Sequence, residues 1–142
     1  VSPRSEIFAQ NGGAKLSGSF AEVENTRGWS VVAVCSLEKS PLGKSRRILV
    51  AHLTDLCNTS QRFANENFDI LLDYGKPPYL LKRADSEIVF DSALDGFECL
   101  ALDGEGKPVA QVPIERVGGK SKIKISTHNK FGTAIAYLLR RK

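Results

Sequence analysis

"SRRILVAHLTDLCNTSQRF", Ser45 to Phe63, crowds serine, histidine, aspartate and cysteine into one short run. These are the side chains of nucleophilic catalysis, so the run is either a catalytic centre or a strand entering a polar loop. Side-chain alternation decides between the two. In a strand, Ile48, Val50, His52, Thr54 and Leu56 share one face, and Leu49, Ala51, Leu53 and Asp55 share the other. His52 then points away from both Asp55 and Cys57, whereas a base and its partners must come within about 3 Å of one another. A glycine-flanked nucleophile elbow is absent as well. The run predicts a β-strand whose histidine is satisfied by a neighbouring polar group. Arg46-Arg47 read as its solvated start. Asn58, Thr59 and Ser60 read as a turn or strand end whose side-chain oxygens bond nearby amides.

Working outward, short runs of β-branched, aromatic and aliphatic residues recur between turn residues. They predict strands at "SEIFA", "KLSGSFAEVE", "WSVVAVCS", "RRILVAHLTDL", "PYLLKR", "SEIVFD", "FECLALD", "PVAQVPIER", "SKIKIS" and "TAIAYLLRR". "QNGGA", "SPLGKS", "DGEGKP" and "RVGGKS" supply the turn chemistry between them. In "SKIKIS", Ile123 and Ile125 face a core while Lys122 and Lys124 face water. In "FECLALD", Phe97, Cys99 and Ala101 take one side and Leu100 and Leu102 the other, as in a strand covered on both faces. The fold class that follows is all-β, an antiparallel sandwich of about eight to ten strands. One excursion near residues 60–75 lacks alternation and predicts irregular structure or a short helix, with Phe63, Phe68, Leu71 and Leu72 at helical spacing.

The chain has 142 residues and a net charge of +4, with acidic residues interleaved among the basic ones. Only "VGGKSKIKIS" and "LLRRK" are locally basic, and a nucleic-acid surface would concentrate such residues, so no nucleic-acid partner is expected. No apolar run approaches the ~20 residues of a membrane-spanning helix, and no membrane partner is expected. Cys35, Cys57 and Cys99 are odd in number and lack close pairing, which predicts three free thiols, no metal and no cofactor. The carboxylate pairs Asp69 with Asp73 and Asp91 with Asp95 lie in or beside turns and read as turn formers rather than as a glycosidase acid and nucleophile. Val1 opens the chain and methionine is absent, so a fragment or processed product is expected.

Three stretches carry a family resemblance: "TRGWSVVAVCSLEKSPLGKSRRILVAHLTDLCNTS", "LLDYGKPPYLLKRADSEIVF" and "FECLALDGEGKPVAQVPIERVGGKSKIKIS". Their order and the "HLTD..NT" run resemble the C-terminal accessory β-sandwich of (β/α)₈-barrel glycoside hydrolases of the cellulase and β-galactosidase clan. Glu38-Lys39 and Ser60 depart from the family pattern, which has Asp-Gly and Gly there. The resemblance implies a single non-catalytic domain, residues 1–142, partnered by the catalytic barrel of the same polypeptide and near its carbohydrate cleft. It implies a secreted or periplasmic protein if the parent enzyme is exported. It leaves no catalytic residue in this chain. A stand-alone carbohydrate-binding module is one alternative, for which Trp29, Tyr74 and Tyr79 are the available rings. A small basic β-barrel binding nucleic acid is the other. Tyr74, Tyr79 and Arg62 are the ligand-contact candidates, and the excursion Asn58–Tyr79 is expected to form the inter-domain contact or to cap its own sandwich.

Overall fold

The computed structural model describes residues 2–142. It is an all-β sandwich of two antiparallel sheets. Five strands precede the excursion: β1 (Ser5–Gln10), β2 (Lys15–Ser17), β3 (Ala21–Arg27), β4 (Ser30–Ser36) and β5 (Arg47–Leu53). The excursion holds β6 (Leu56–Thr59), β7 (Arg62–Phe63), β8 (Leu71–Asp73) and β9 (Lys76–Leu81). After it come β10 (Asp85–Phe90), β11 (Phe97–Leu102), β12 (Pro108–Val112), β13 (Glu115–Val117), β14 (Lys120–Ser126), β15 (His128–Asn129), β16 (Gly132–Thr133) and β17 (Ala136–Arg141). One sheet has six strands in the order β1-β4-β5-β17-β11-β12, and the other has five in the order β13-β14-β10-β3-β2. A 3-10 turn at Leu42–Lys44 bridges β4 and β5.

Alternation fills the space between the sheets. Val32, Val34, Ile48, Val50 and Leu139 from one sheet meet Val23, Ile88, Phe90, Ile123 and Ile125 from the other, all buried. Phe20 and Phe90 pack as a tilted pair with ring centroids 5.6 Å apart. Leu100 and Leu102 are buried too, so β11 is covered on both faces as its sequence predicts.

The sandwich carries eleven strands because two predicted strands are each divided. "KLSGSFAEVE" turns at Gly18–Phe20, where the buried Glu6 carboxylate of β1 accepts three backbone N–H bonds. They come from Ser19 (2.6 Å), Phe20 (2.8 Å) and Ala21 (2.9 Å). A Cβ at Gly18 would collide with that carboxylate, so the close approach requires glycine. Nothing in the alternation of Glu6 with its neighbours signals this clamp between the two sheets. "PVAQVPIER" breaks at Pro113-Ile114, where the chain leaves the six-stranded sheet at β12 and enters the five-stranded sheet at β13. Proline cannot donate to a ladder, which favours the crossing there.

The opening strand also stops earlier than alternation implies. It ends at Leu53, and Thr54 turns its hydroxyl to the Trp29 carbonyl at 2.8 Å. Thr54 and Leu56 therefore do not continue the buried face. The excursion is not helical. Its strands pair only among themselves, β6 with β9 and β7 with β8, in a ribbon that extends from the sandwich. Phe63 and Phe68 meet edge to face in it, with centroids 4.9 Å apart. Pro77-Pro78 interrupts the β9 register, and Gly75 takes a φ of 69°, both of which oppose a helix.

Candidate functional site

His52 is fully buried on the inner face of β5, where alternation places it. Its Nε2 lies 3.2 Å from the Ser86 hydroxyl of β10, and that hydroxyl donates to Asn25 Oδ1 at 3.1 Å. With the Ser86 proton committed to Asn25, the imidazole Nε2–H is the donor. That is the reverse of nucleophile activation, in which the imidazole accepts the serine proton. Burial holds the His52 pKa down at about 4 against a weaker opposing pull from Asp85. Asn25 Nδ2 donates to the carbonyls of Gln10 (3.0 Å) and Gly28 (2.6 Å). The arrangement ties the two sheets together at the end from which the ribbon leaves. Tyr137 of β17 does the same, its hydroxyl donating to the Ser126 carbonyl of β14 at 2.6 Å.

The other polar candidates do not converge either. Asp91 pairs with Lys120 at 2.6 Å, and Asp95 pairs with Arg116. Asp69 bonds Asn65, and Asp73 caps the amide of Gly75 at 2.9 Å. All three cysteines are free, Cys99 being buried with its thiol pushed up to about 12 by desolvation. Among the described residues, no group of three or more His, Cys, Asp and Glu side chains could hold a metal ion.

Tyr74, Tyr79 and Arg62 all lie on the ribbon and are exposed. Asn58 links the two tyrosines, since it pairs with Tyr79 across the ribbon and its Nδ2 donates to the Tyr74 carbonyl at 2.8 Å. Arg62 pairs with Asp73 on the second short ladder. Trp29 is exposed and precedes β4 rather than opening it.

The largest unexplained feature is the outer face of the six-stranded sheet. Directly paired residues of an antiparallel ladder share a face, so the register reads that face row by row. One row is Ala9, Val31 and Leu53. The next is Ile7, Ala33, Ala51, Ala136 and Leu102. A third is Cys35, Leu49, Leu138 and Leu100. Across five strands these rows carry no charged residue. Ile7 is 64% exposed and Leu53 47% exposed at one side of this face, the central alanines are half-buried, and Leu100 and Leu102 at the other side are buried. Charge returns only at the next row, where Arg140 pairs with Glu98 at 2.7 Å. Solvated antiparallel faces are ordinarily polar, so a run of three rows without charge sets this face apart. Sequence reasoning placed Val31, Ala33 and Cys35 in a central strand, yet their open face follows only from the strand order.

Neither family models, curated proteins nor solved structures give a match to this chain.

Proposed function

We propose that the chain is a non-catalytic accessory β-sandwich that docks through the outer face of its six-stranded sheet. The partner implied by the family resemblance is the catalytic (β/α)₈ barrel of a glycoside hydrolase within the same polypeptide. The observation that carries this reading is the uncharged surface of the three rows from Ile7 to Leu138. Its central alanines keep the side chains short there, and covering Ile7 and Leu53 removes apolar area from water. The inter-domain contact thereby moves from the excursion, where the sequence suggested it, to the sheet.

Two native thiols distinguish these surfaces. Cys35 lies within the apolar field and Cys57 on the ribbon, and both are partly exposed. Thiol labelling is compared between the isolated chain and the protein that contains it with the barrel. Docking through the sheet slows labelling of Cys35 and leaves Cys57 unchanged. Slowing at Cys57 alone would return the interface to the ribbon, and equal rates at both would sink docking altogether.

A further inference from the structure

At the end of the sandwich away from the ribbon, the two sheets part around a cleft of about 380 Å³. Its floor is apolar, formed by Phe20, Leu42, Leu94 and Phe97. Its rim carries Lys44, Arg46 and Arg141, and no acidic side chain lines it. Arg46 and Arg141 are neighbours, since the Arg141 amide donates to the Arg46 carbonyl at 3.0 Å. None of the three cations forms an ion pair with a described residue, although most exposed cations of the adjoining sheet do.

Of the surrounding acids, two are held in ion pairs and the third bonds only neutral donors. Asp91 and Asp95 flank the cleft segment Ser92–Leu94 in sequence but are held by Lys120 and Arg116. Glu38 stands behind the rim, where its carboxylate accepts the Arg46 amide at 2.7 Å and the Ser45 hydroxyl at 3.3 Å. That amide bond, more than the Arg46 charge, holds the Glu38 carboxyl below its ordinary range. Lys44, Arg46 and Arg141 share one opening, so an anion seated there meets positive charge from all three.

We propose that this cleft binds a small organic carboxylate, its charge on Arg46 and Arg141 and its body against the apolar floor. Guanidinium groups match a carboxylate in two-point contact. The floor favours a singly charged anion with an apolar face over a dianion, whose dehydration costs more. The volume lies in the range of ordinary small-molecule sites, which combine apolar walls with a few placed polar groups. This site does not depend on the docking reading, because it lies at the mouth between the sheets rather than on the outer face.

Amide NMR titrations of the 142-residue chain test it, with glucuronate and benzoate as carboxylates from two sources. Glucose and benzamide serve as their neutral counterparts, and inorganic phosphate as a competing anion. Either carboxylate is expected to shift the signals of Gly43, Ser45, Ser92 and Arg141. The one that binds more tightly identifies a sugar acid or an aromatic acid as the source. Arg46→Gln and Arg141→Gln should each weaken binding about tenfold, the loss of one charge-assisted contact. Lys76→Gln on the ribbon should leave it unchanged. The proposal is overturned if neither carboxylate shifts these signals, or if a neutral counterpart shifts them equally. Tighter binding of phosphate, or equal weakening by the ribbon variant, would overturn it as well.

Discussion

The two sheets share a core and differ sharply on their outer faces. On the five-stranded sheet the rows read Lys15, Glu24, Glu87, Lys124 and Ser17, Glu22, Val89, Lys122, Glu115. Lys122 bridges Glu87 at 3.1 Å and Glu115 at 3.7 Å, and Lys15 meets Glu22 at 2.7 Å. The partners hold the Lys122 and Lys15 ammonium groups above their ordinary pKa. That face is at home in water. The six-stranded sheet offers alanine, valine and leucine at equivalent positions, buried at Leu100 and Leu102 and open at Ile7 and Leu53. Because both sheets bury their inner faces equally well, the difference does not arise from folding the sandwich. The proposed docking would supply a second burial event on one side only.

The largest effect should come from undoing the clamp that gives the sheets an inside at all. Glu6→Ala leaves the Ser19, Phe20 and Ala21 amides without their shared acceptor in a buried site. A loss of about 3–5 kcal/mol in urea unfolding is expected, since each buried amide left without an acceptor costs about 1–3 kcal/mol. A loss below about 1 kcal/mol would show that the sheets hold together without it.

Next in size is the histidine at the opposite end. Its folded pKa of about 4 lies below the unfolded value of 6.5, so the unfolded chain binds more protons between those two values. Stability therefore rises with pH from about 4 to 6.5 and is lost on acidification through the same window. The full difference is about 3 kcal/mol. Urea midpoints measured across that window should show the slope, and His52→Gln should flatten it. An unchanged slope in the variant would assign the effect to other groups.

The smallest effects sharpen the contrast between the outer faces. Lys122→Ala should lower the melting temperature only slightly, and high salt should erase the difference, because exposed pairs contribute little. Leu49→Lys on the apolar face should barely change the melting temperature of the isolated chain but should abolish docking, since it places a charge inside an interface. A strong destabilisation of the isolated chain by Leu49→Lys would mean that this face is already covered by the chain itself.

Much of the sandwich is legible in the residues. Alternation of Ile48, Val50 and His52 against Leu49 and Ala51 fixes which way the decisive strand faces. "SKIKIS" reads the same way, and its lysines do stand on the solvated face. The ribbon was less legible, because Phe63, Phe68, Leu71 and Leu72 fit a helical stripe as well as two short ladders. Gly75 and the proline pair resolve it by opposing helical backbone. The ligand-contact candidates Tyr74, Tyr79 and Arg62 lie on this ribbon and are exposed.

The sequence by itself determined the strands and their inward sides, because side-chain alternation is a local property with a period of two. Only the tertiary structure decided which strands lie side by side. The apolar field needs Ile7, Ala33, Ala51, Ala136 and Leu102 in one row, and these residues come from strands far apart in the chain. The cleft likewise needs Arg46 beside Arg141. Such neighbours are set by long-range pairing of the ladders, which no local pattern encodes.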